Sequence, residues 1–333
     1  MTPTPTEQVR SPHLLRRLLA VIFGLALVGG LTTACSSDDS GSNTGETSSD
    51  NAYPVTIDTT QGQVTIDKKP ERVIVANGAN AGNLLELGTV PIAVWSQLDA
   101  IKRDNPDVLE EIGEDKVFPD LWGSDGYNFE AIANLNPDLI YVTNSMLKSK
   151  DDFDRLNAIA PTVSQSGDGK LANWKDSFLS LAAAMGEEEK ANTLISNTEK
   201  RFSEVGAKIP NIESKTYNYV AYTNFSKPLQ YGNGEVLKLL GMTPGPKQDD
   251  ANQGGISLEN VSTLNADLLI VWPYPDELQE KFKALPQYSS LPAVKNESVF
   301  FVDQKTASLL IGSGVRDMNK LLDTLAPMLD SLK

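Results

Sequence analysis

The chain has 333 residues, with 29 basic and 44 acidic side chains and a formal charge of −15, so it lacks the basic excess that binding to nucleic acid requires. Hydrophobic residues at 40 % and charged residues at 22 % fit a globular body long enough for two domains. One Cys and one His exclude a disulfide framework and a multi-Cys metal cluster, and argue against a His-based metal site or triad.

Arg10, His13, Arg16 and Arg17 lead into an apolar run from Leu18 to Leu31, shorter than the ~20 residues of a membrane-spanning helix. A charged start followed by such a run reads as a signal peptide. It ends Leu31-Thr-Thr-Ala-Cys35, which resembles a bacterial lipobox with Thr32 where Leu is usual. That resemblance implies cleavage before Cys35 and a diacylglycerol on its sulfur. Loss of residues 1–34 removes His13, the only imidazole. Ser36 to Ala52 is almost entirely Ser, Asp, Gly, Asn, Thr and Glu, a composition that buries no core and serves as a tether. The expected organisation is a signal peptide at 1–34, lipidated Cys35 and tether at 35–53, a first lobe at 54–172, connecting helices at 173–208 and a second lobe at 209–333.

Within the body, Val55–Thr59 and Val64–Asp67 flank a Gln61-Gly62 turn and predict an antiparallel hairpin. Strand-like Arg72–Val75 and Tyr219–Tyr222 each run into polar residues, and Leu84–Gly88 and Leu237–Gly241 read as helix ends stopped by glycine. One pattern occurs twice. Asn128 to Val142 and Ser257 to Val271 share Glu, Leu, Asn, Asp, Leu and Val at matching positions. Each reads as a short helix, an Asn-x-Asp turn and a buried strand, with Glu130 and Glu259 off the buried helical face. Alternation of strands with helices predicts a mainly parallel sheet in each half. Between the halves, Ala191, Leu194, Ile195, Thr198, Phe202 and Val205 follow one face of a helix expected over Glu187–Ala207, after a break at Met185-Gly186. A last amphipathic helix over Gly314–Leu332 is expected to close the second half.

In open parallel sheets, ligands sit beyond the C-terminal ends of the strands. That rule selects Asn77, Trp95, Arg103 and Asn144 in the first half, and Tyr222, Trp272 and Tyr274 in the second. Trp122 and Tyr127 precede the first repeat, Tyr231 precedes the Leu-Leu-Gly helix, and Arg316 opens the last helix. Aromatic walls with a few directed donors suit a large ligand with hydrophobic rims. Taken singly, each aromatic would serve equally in a lobe core, and each Arg in a surface ion pair.

Four segments carry a family resemblance in order along the chain: Lys69-Pro-Glu-Arg-Val-Ile74, Phe129-Glu-Ala-Ile-Ala-Asn-Leu-Asn-Pro-Asp-Leu-Ile140, Ala158-Ile-Ala-Pro-Thr-Val163 and Leu291-Pro-Ala-Val-Lys-Asn-Glu-Ser-Val299. From about Pro54 onward the chain resembles the periplasmic binding proteins that serve ferric siderophore, haem and cobalamin ABC importers. The resemblance implies two Rossmann-like α/β lobes joined by one long interlobe helix, with the ligand in the cleft between them. It also implies that Glu130 and Glu259 dock onto Arg residues of a permease dimer coupled to its ATPase. A helix-start Glu favoured by the helix dipole is the plain alternative for both.

The expected ligand is a ferric siderophore, with hydroxamate or mixed chelates favoured over a trianionic catecholate because the body is acidic. Cobalamin or another iron chelate is the alternative, and the missing His counts against haem. Iron would be held by the siderophore, so neither a metal site nor a cofactor of the protein's own is expected. An enzyme is not expected either, for the mature chain has no His and no Gly-x-Ser-x-Gly elbow. The resulting expectation is a monomer, anchored by lipid outside the cytoplasmic membrane.

Overall fold

The computed structural model describes residues 53–123, 126–147, 149–164, 174–224, 229–248, 255–311 and 314–333. Cys35, the expected signal peptide at 1–34 and the tether up to residue 52 lie outside the described residues. The strands are β1 Val55–Thr59, β2 Gly62–Ile66, β3 Val73–Ala76, β4 Ala93–Trp95, β5 Trp122–Gly123, β6 Gly126–Tyr127, β7 Leu139–Val142, β8 Thr162–Ser164, β9 Thr216–Thr223, β10 Leu229–Tyr231, β11 Thr243–Pro244, β12 Leu268–Tyr274 and β13 Val299–Phe301. The helices are α1 Asn77–Glu86, α2 Leu98–Asp104, α3 Pro106–Ile112, α4 Phe129–Asn134, α5 Lys150–Ile159, α6 Trp174–Met185, α7 Glu188–Gly206, α8 Glu235–Lys238, α9 Leu278–Lys283, α10 Pro292–Lys295, α11 Gln304–Ile311 and α12 Val315–Leu325.

The hairpin β1–β2 pairs Val55 with Ile66 across the Gln61-Gly62 turn. A first sheet runs β4-β3-β7-β8, parallel throughout. All four residues of β3 are buried, as expected of a parallel strand covered on both faces. The second sheet runs β10-β9-β12-β13, with β11 also on β9. There β9, β12, β13 and β11 are parallel and β10 is antiparallel.

The repeated Asp has one job in both halves. Asp138 accepts hydrogen bonds from the backbone N–H groups of Glu71 (2.9 Å) and Arg72 (2.7 Å), tying its turn to the start of β3. Asp267 accepts from the backbone N–H and hydroxyl of Thr216, both at 2.8 Å, at the start of β9. The helix before the turn differs between copies. The first is α-helical, whereas Leu258–Thr263 forms a 3-10 helix with Asn260 at φ −107°, ψ 21°.

Arg72 reinforces the first copy by donating to the carbonyls of Asn136 and Leu135, each at 2.7 Å. A guanidinium on the last carbonyls of a helix satisfies orphan acceptors and complements the helix dipole. Arg72→Ala is therefore expected to cost about 1 kcal/mol in urea unfolding, since the bonds are solvent-exposed. Lys at this position should fail to restore the loss, because one ammonium cannot reproduce the fork. Full stability in either variant would refute the capping role.

Helix α6 stops at Met185, and Gly186 at φ +66° supplies the left-handed residue that lets the chain re-enter α7. Helix α7 has 19 residues, two fewer than the expected Glu187–Ala207. At its end a Cβ on Gly206 would lie 1.9 Å from the carbonyl oxygen of Leu240, two residues beyond α8, so only glycine permits this approach. Helix α12 buries Met318, Leu321, Leu322 and Leu325 and ends short of the expected Leu332. It packs on α11 of the second half and also on α1, α6 and α7, so it joins the core shared with the first lobe.

That core continues through α7 to one face of the second sheet, reaching Tyr217, Tyr219, Leu268 and Ile270. The opposite face, with Val220, Tyr222, Leu269 and Val271, builds a separate core against α9. Adjacent residues in one strand thus serve different cores.

Candidate ligand site

In the first lobe, β3 passes directly into α1. Asn77 takes the turn at φ +62°, and its Oδ1 accepts from the Asn80 backbone N–H at 3.0 Å. Trp95 closes β4 with only 4 % of its surface exposed. Its ring meets Tyr127 edge-on at 5.1 Å and 79°, and Tyr127 on β6 pairs with Trp122 on β5. The Tyr127 hydroxyl donates to the Met146 carbonyl, which fixes the ring. Burial, with the Asp152 charge adding, pushes that phenol's pKa well up. Asn144 stands half-buried in the turn after β7.

The second lobe presents Trp272 and Tyr274 at the end of β12, with ring centroids 5.6 Å apart. Tyr274 is 44 % exposed. In the first lobe, the Arg103 guanidinium has its pKa raised chiefly by its hydrogen bond to Asp104. Arg103 itself makes a two-pronged contact with Asp104, both arms at 2.8 Å. The structure thus brings Trp95, Trp122 and Tyr127 together in one lobe, and Trp272 and Tyr274 in the other.

Two buried donors stand out. The indole N–H groups of Trp95 and Trp272 have no acceptor among the described residues. A buried donor left unmade costs about 1–3 kcal/mol, so each is suited to an oxygen supplied from outside the chain.

Two expected contacts are corrected. Tyr222 is 6 % exposed and packs 5.5 Å from Phe282 in the second lobe's separate core, because strand alternation turns it away from Ala221 and Thr223. Arg316 faces carboxylates. It contacts Glu86 at 2.9 Å, Glu111 at 2.6 Å and Asp107 at 3.5 Å, with 16 % of its side chain exposed. Tyr231 is half-buried, and its hydroxyl donates to the Pro246 carbonyl at 3.4 Å.

A cavity of about 220 Å³ opens at Asn77, the residue after β3, and Ser96, the residue after β4. It is bounded by Asn77 and Ala79 of α1, Ala100, Ile101 and Asp104 of α2, and Ser308 and Ile311 of α11, with Asp317 of α12. Asp317 is 6 % exposed; Asn105 Nδ2 donates to its Oδ1 at 3.2 Å, and Lys320 Nζ lies 4.0 Å from the same oxygen. Burial pushes this carboxyl up to about 6, with the charge of Lys320 opposing. A carboxylate beside Arg316 in the first turn of an amphipathic helix was the only sequence signal for it.

Glu130 and Glu259 are both exposed near the starts of their short helices. Asn128 caps the first by accepting from the Ala131 N–H at 3.0 Å, and Ser257 caps the second by accepting from the Glu259 N–H at 3.4 Å. Next to Glu130, the Arg155 guanidinium lies 3.7 Å above the Phe129 ring.

Residues 73–306 match the periplasmic binding protein family. The Fe(3+)-citrate-binding protein YfmC of Bacillus subtilis is 25 % identical over 300 residues, covering 87 % of this chain and 90 % of its own. The iron(3+)-hydroxamate-binding protein FhuD of the same organism is 27 % identical over 307 residues, covering 87 % and 91 %. The crystal structure of PiaA from Streptococcus pneumoniae with ferrichrome superposes with a TM-score of 0.66 at 25 % identity, over 84 % of this chain and 98 % of that one.

Proposed function

Because the chain belongs to the periplasmic binding protein family, we propose that it is a lipid-anchored, extracytoplasmic solute-binding protein that captures a ferric siderophore and delivers it to an ABC importer. The observation that carries this reading is the pair of aromatic walls, Trp95 with Tyr127 and Trp272 with Tyr274, each holding an unpartnered indole donor. Ferric chelates offer what such walls lack: a hydrophobic rim for the rings and oxygen acceptors for the N–H groups. Iron(3+) complexes are also what YfmC and FhuD are named for binding.

In this reading the chelator provides every iron ligand, and the protein recognises the outside of the complex. Capture buries the chelate against both walls and engages Trp95 Nε1 and Trp272 Nε1. Helices α6 and α7, with α12 packed on both, connect the lobes stiffly, so closure is small. Glu130 and Glu259 then seat the loaded protein on two equivalent permease subunits. Cys35 would hold the protein at the membrane for repeated delivery.

The test is intrinsic tryptophan fluorescence of the full chain, titrated with ferric hydroxamates, ferric catecholates, ferric citrate, haem and cobalamin. Saturable quenching by a ferric chelate at submicromolar concentration is expected, and it should fall sharply in a Trp95→Phe, Trp272→Phe double variant. Quenching by cobalamin or haem alone would overturn the siderophore and keep the binding protein; silence from all five would overturn both.

A further inference from the structure

The cavity between α1, α2 and α11 has room for roughly seven waters at ~30 Å³ each, too little for a chelate but enough for one arm of it. Its lining is mixed, with Asn77, Ser96, Asp104, Asn105 and Ser308 among apolar groups. Ala79, Ala100, Ile101 and Ile311 give it apolar sides, while Asp317 stands at the wall with nine-tenths of its surface buried. Every contact to this carboxylate falls on Oδ1, from Asn105 and Lys320. Oδ2 has no donor among the described residues.

Cations cannot be recruited from the surroundings to fill that position. Arg103 is held by both oxygens of Asp104. Arg316 is engaged by Glu86, Asp107 and Glu111, and Lys320 by Asp107 at 2.5 Å. Asp104 and Asp317 line the cavity and, among the described residues, no Lys or Arg does, which leaves its wall acidic. A negatively charged group entering here would meet that field. A slim apolar chain ending in a cation fits both the sides and the end.

We propose that this cavity is a subsite for an alkylammonium arm of the bound ferric chelate, with the methylenes against Ala79, Ala100 and Ile101 and the ammonium donating to Asp317 Oδ2. The assignment rests on the siderophore reading above and narrows it to chelates that carry a free amine. Tris-catecholates and citrate complexes, which bring net negative charge, are disfavoured by the same wall.

The test compares a linear ferric tris-hydroxamate ending in a primary aminopentyl group with the same chelate N-acetylated, both titrated against the full chain in mild detergent. A charge-assisted bond to a carboxylate with nine-tenths of its surface buried predicts a roughly ten- to hundredfold preference for the free amine. Asp317→Asn keeps the shape and the Asn105 partner, and should bring the two affinities together. Ala79→Leu, which narrows the cavity from its apolar side, should weaken the amine form and leave the acetylated one little changed. Equal affinities in the wild type, or a preference that survives Asp317→Asn, would overturn the subsite while leaving siderophore binding standing. Failure of both chelates to bind would overturn the subsite, and the siderophore reading would fall with it only if the other ferric chelates of the fluorescence titration were silent too.

Discussion

Replacing Glu130 and Glu259 together by Gln is expected to abolish uptake of the ferric chelate while leaving its affinity for the isolated protein unchanged. Each carboxylate is exposed on a capped turn, one per lobe, at matching positions of a duplicated pattern. A partner with two equivalent faces would read both at once. Truncating one side of a desolvated charge pair at an interface typically costs 2–5 kcal/mol, a factor of roughly thirty or more in affinity for each Glu. Either single variant should therefore slow transport, and the double variant should stop it. Gln preserves side-chain length and leaves the backbone N–H of Glu259 in place for the Ser257 cap, so folding should be unaffected. Transport of labelled ferric chelate into cells, beside fluorescence titration of the purified variants, separates the outcomes. Wild-type uptake by the double variant would sink the docking role; a loss of chelate affinity would place these residues in the ligand site instead.

The repeat was legible because its signals are local. An Asn-x-Asp turn before an apolar run carries its own strand start, and the two Asp carboxylates do occupy equivalent places beside β3 and β9. The break at Met185-Gly186 was legible for the same reason, for a left-handed residue between two amphipathic stretches has few other uses. What the sequence concealed depends on partners far along the chain. Amphipathicity in α12 reveals a face to be buried and says nothing of where; besides its neighbour α11 it packs on α1, α6 and α7, which precede the whole second lobe in sequence. Arg316 carries no mark of Glu86, Asp107 and Glu111, more than 200 residues away. Tyr222 fails for a subtler reason. The rule that ligands gather at strand ends selects a region but not a face, and one step of strand alternation separates a cleft wall from a core.

The second large effect concerns stability. Arg316→Ala is expected to cost about 3 kcal/mol, because it leaves Glu86 and Glu111 facing each other around a vacated cation at a site where the side chain is only 16 % exposed. In a chain of this size that lowers the melting temperature by about 8 °C. The loss should depend on pH, with a sign set by Asp317. Burial raises this carboxyl to about 6, Lys320 and Arg316 oppose the rise, and Asp107 adds to it; unfolded it returns to about 3.9. A carboxyl with the higher pKa in the folded state costs stability above the folded value, and the cost vanishes below the unfolded one. Without Arg316 the folded value climbs further, so the variant's deficit should be greatest above pH 7 and should narrow as the pH falls towards 4. Asp107 acts in the opposite sense: burial pushes it up, but the hydrogen bond and charge of Lys320, with Arg316, hold it below the ordinary value. Its favourable contribution is present at neutral pH and fades only at pH values below about 4, outside the window in which Asp317 titrates. Urea unfolding of wild type and variant at pH 4.5, 6 and 8 measures the difference directly. A deficit under about 1 kcal/mol would mean that solvent already screens the cluster, and one independent of pH would remove Asp317 from the coupled set.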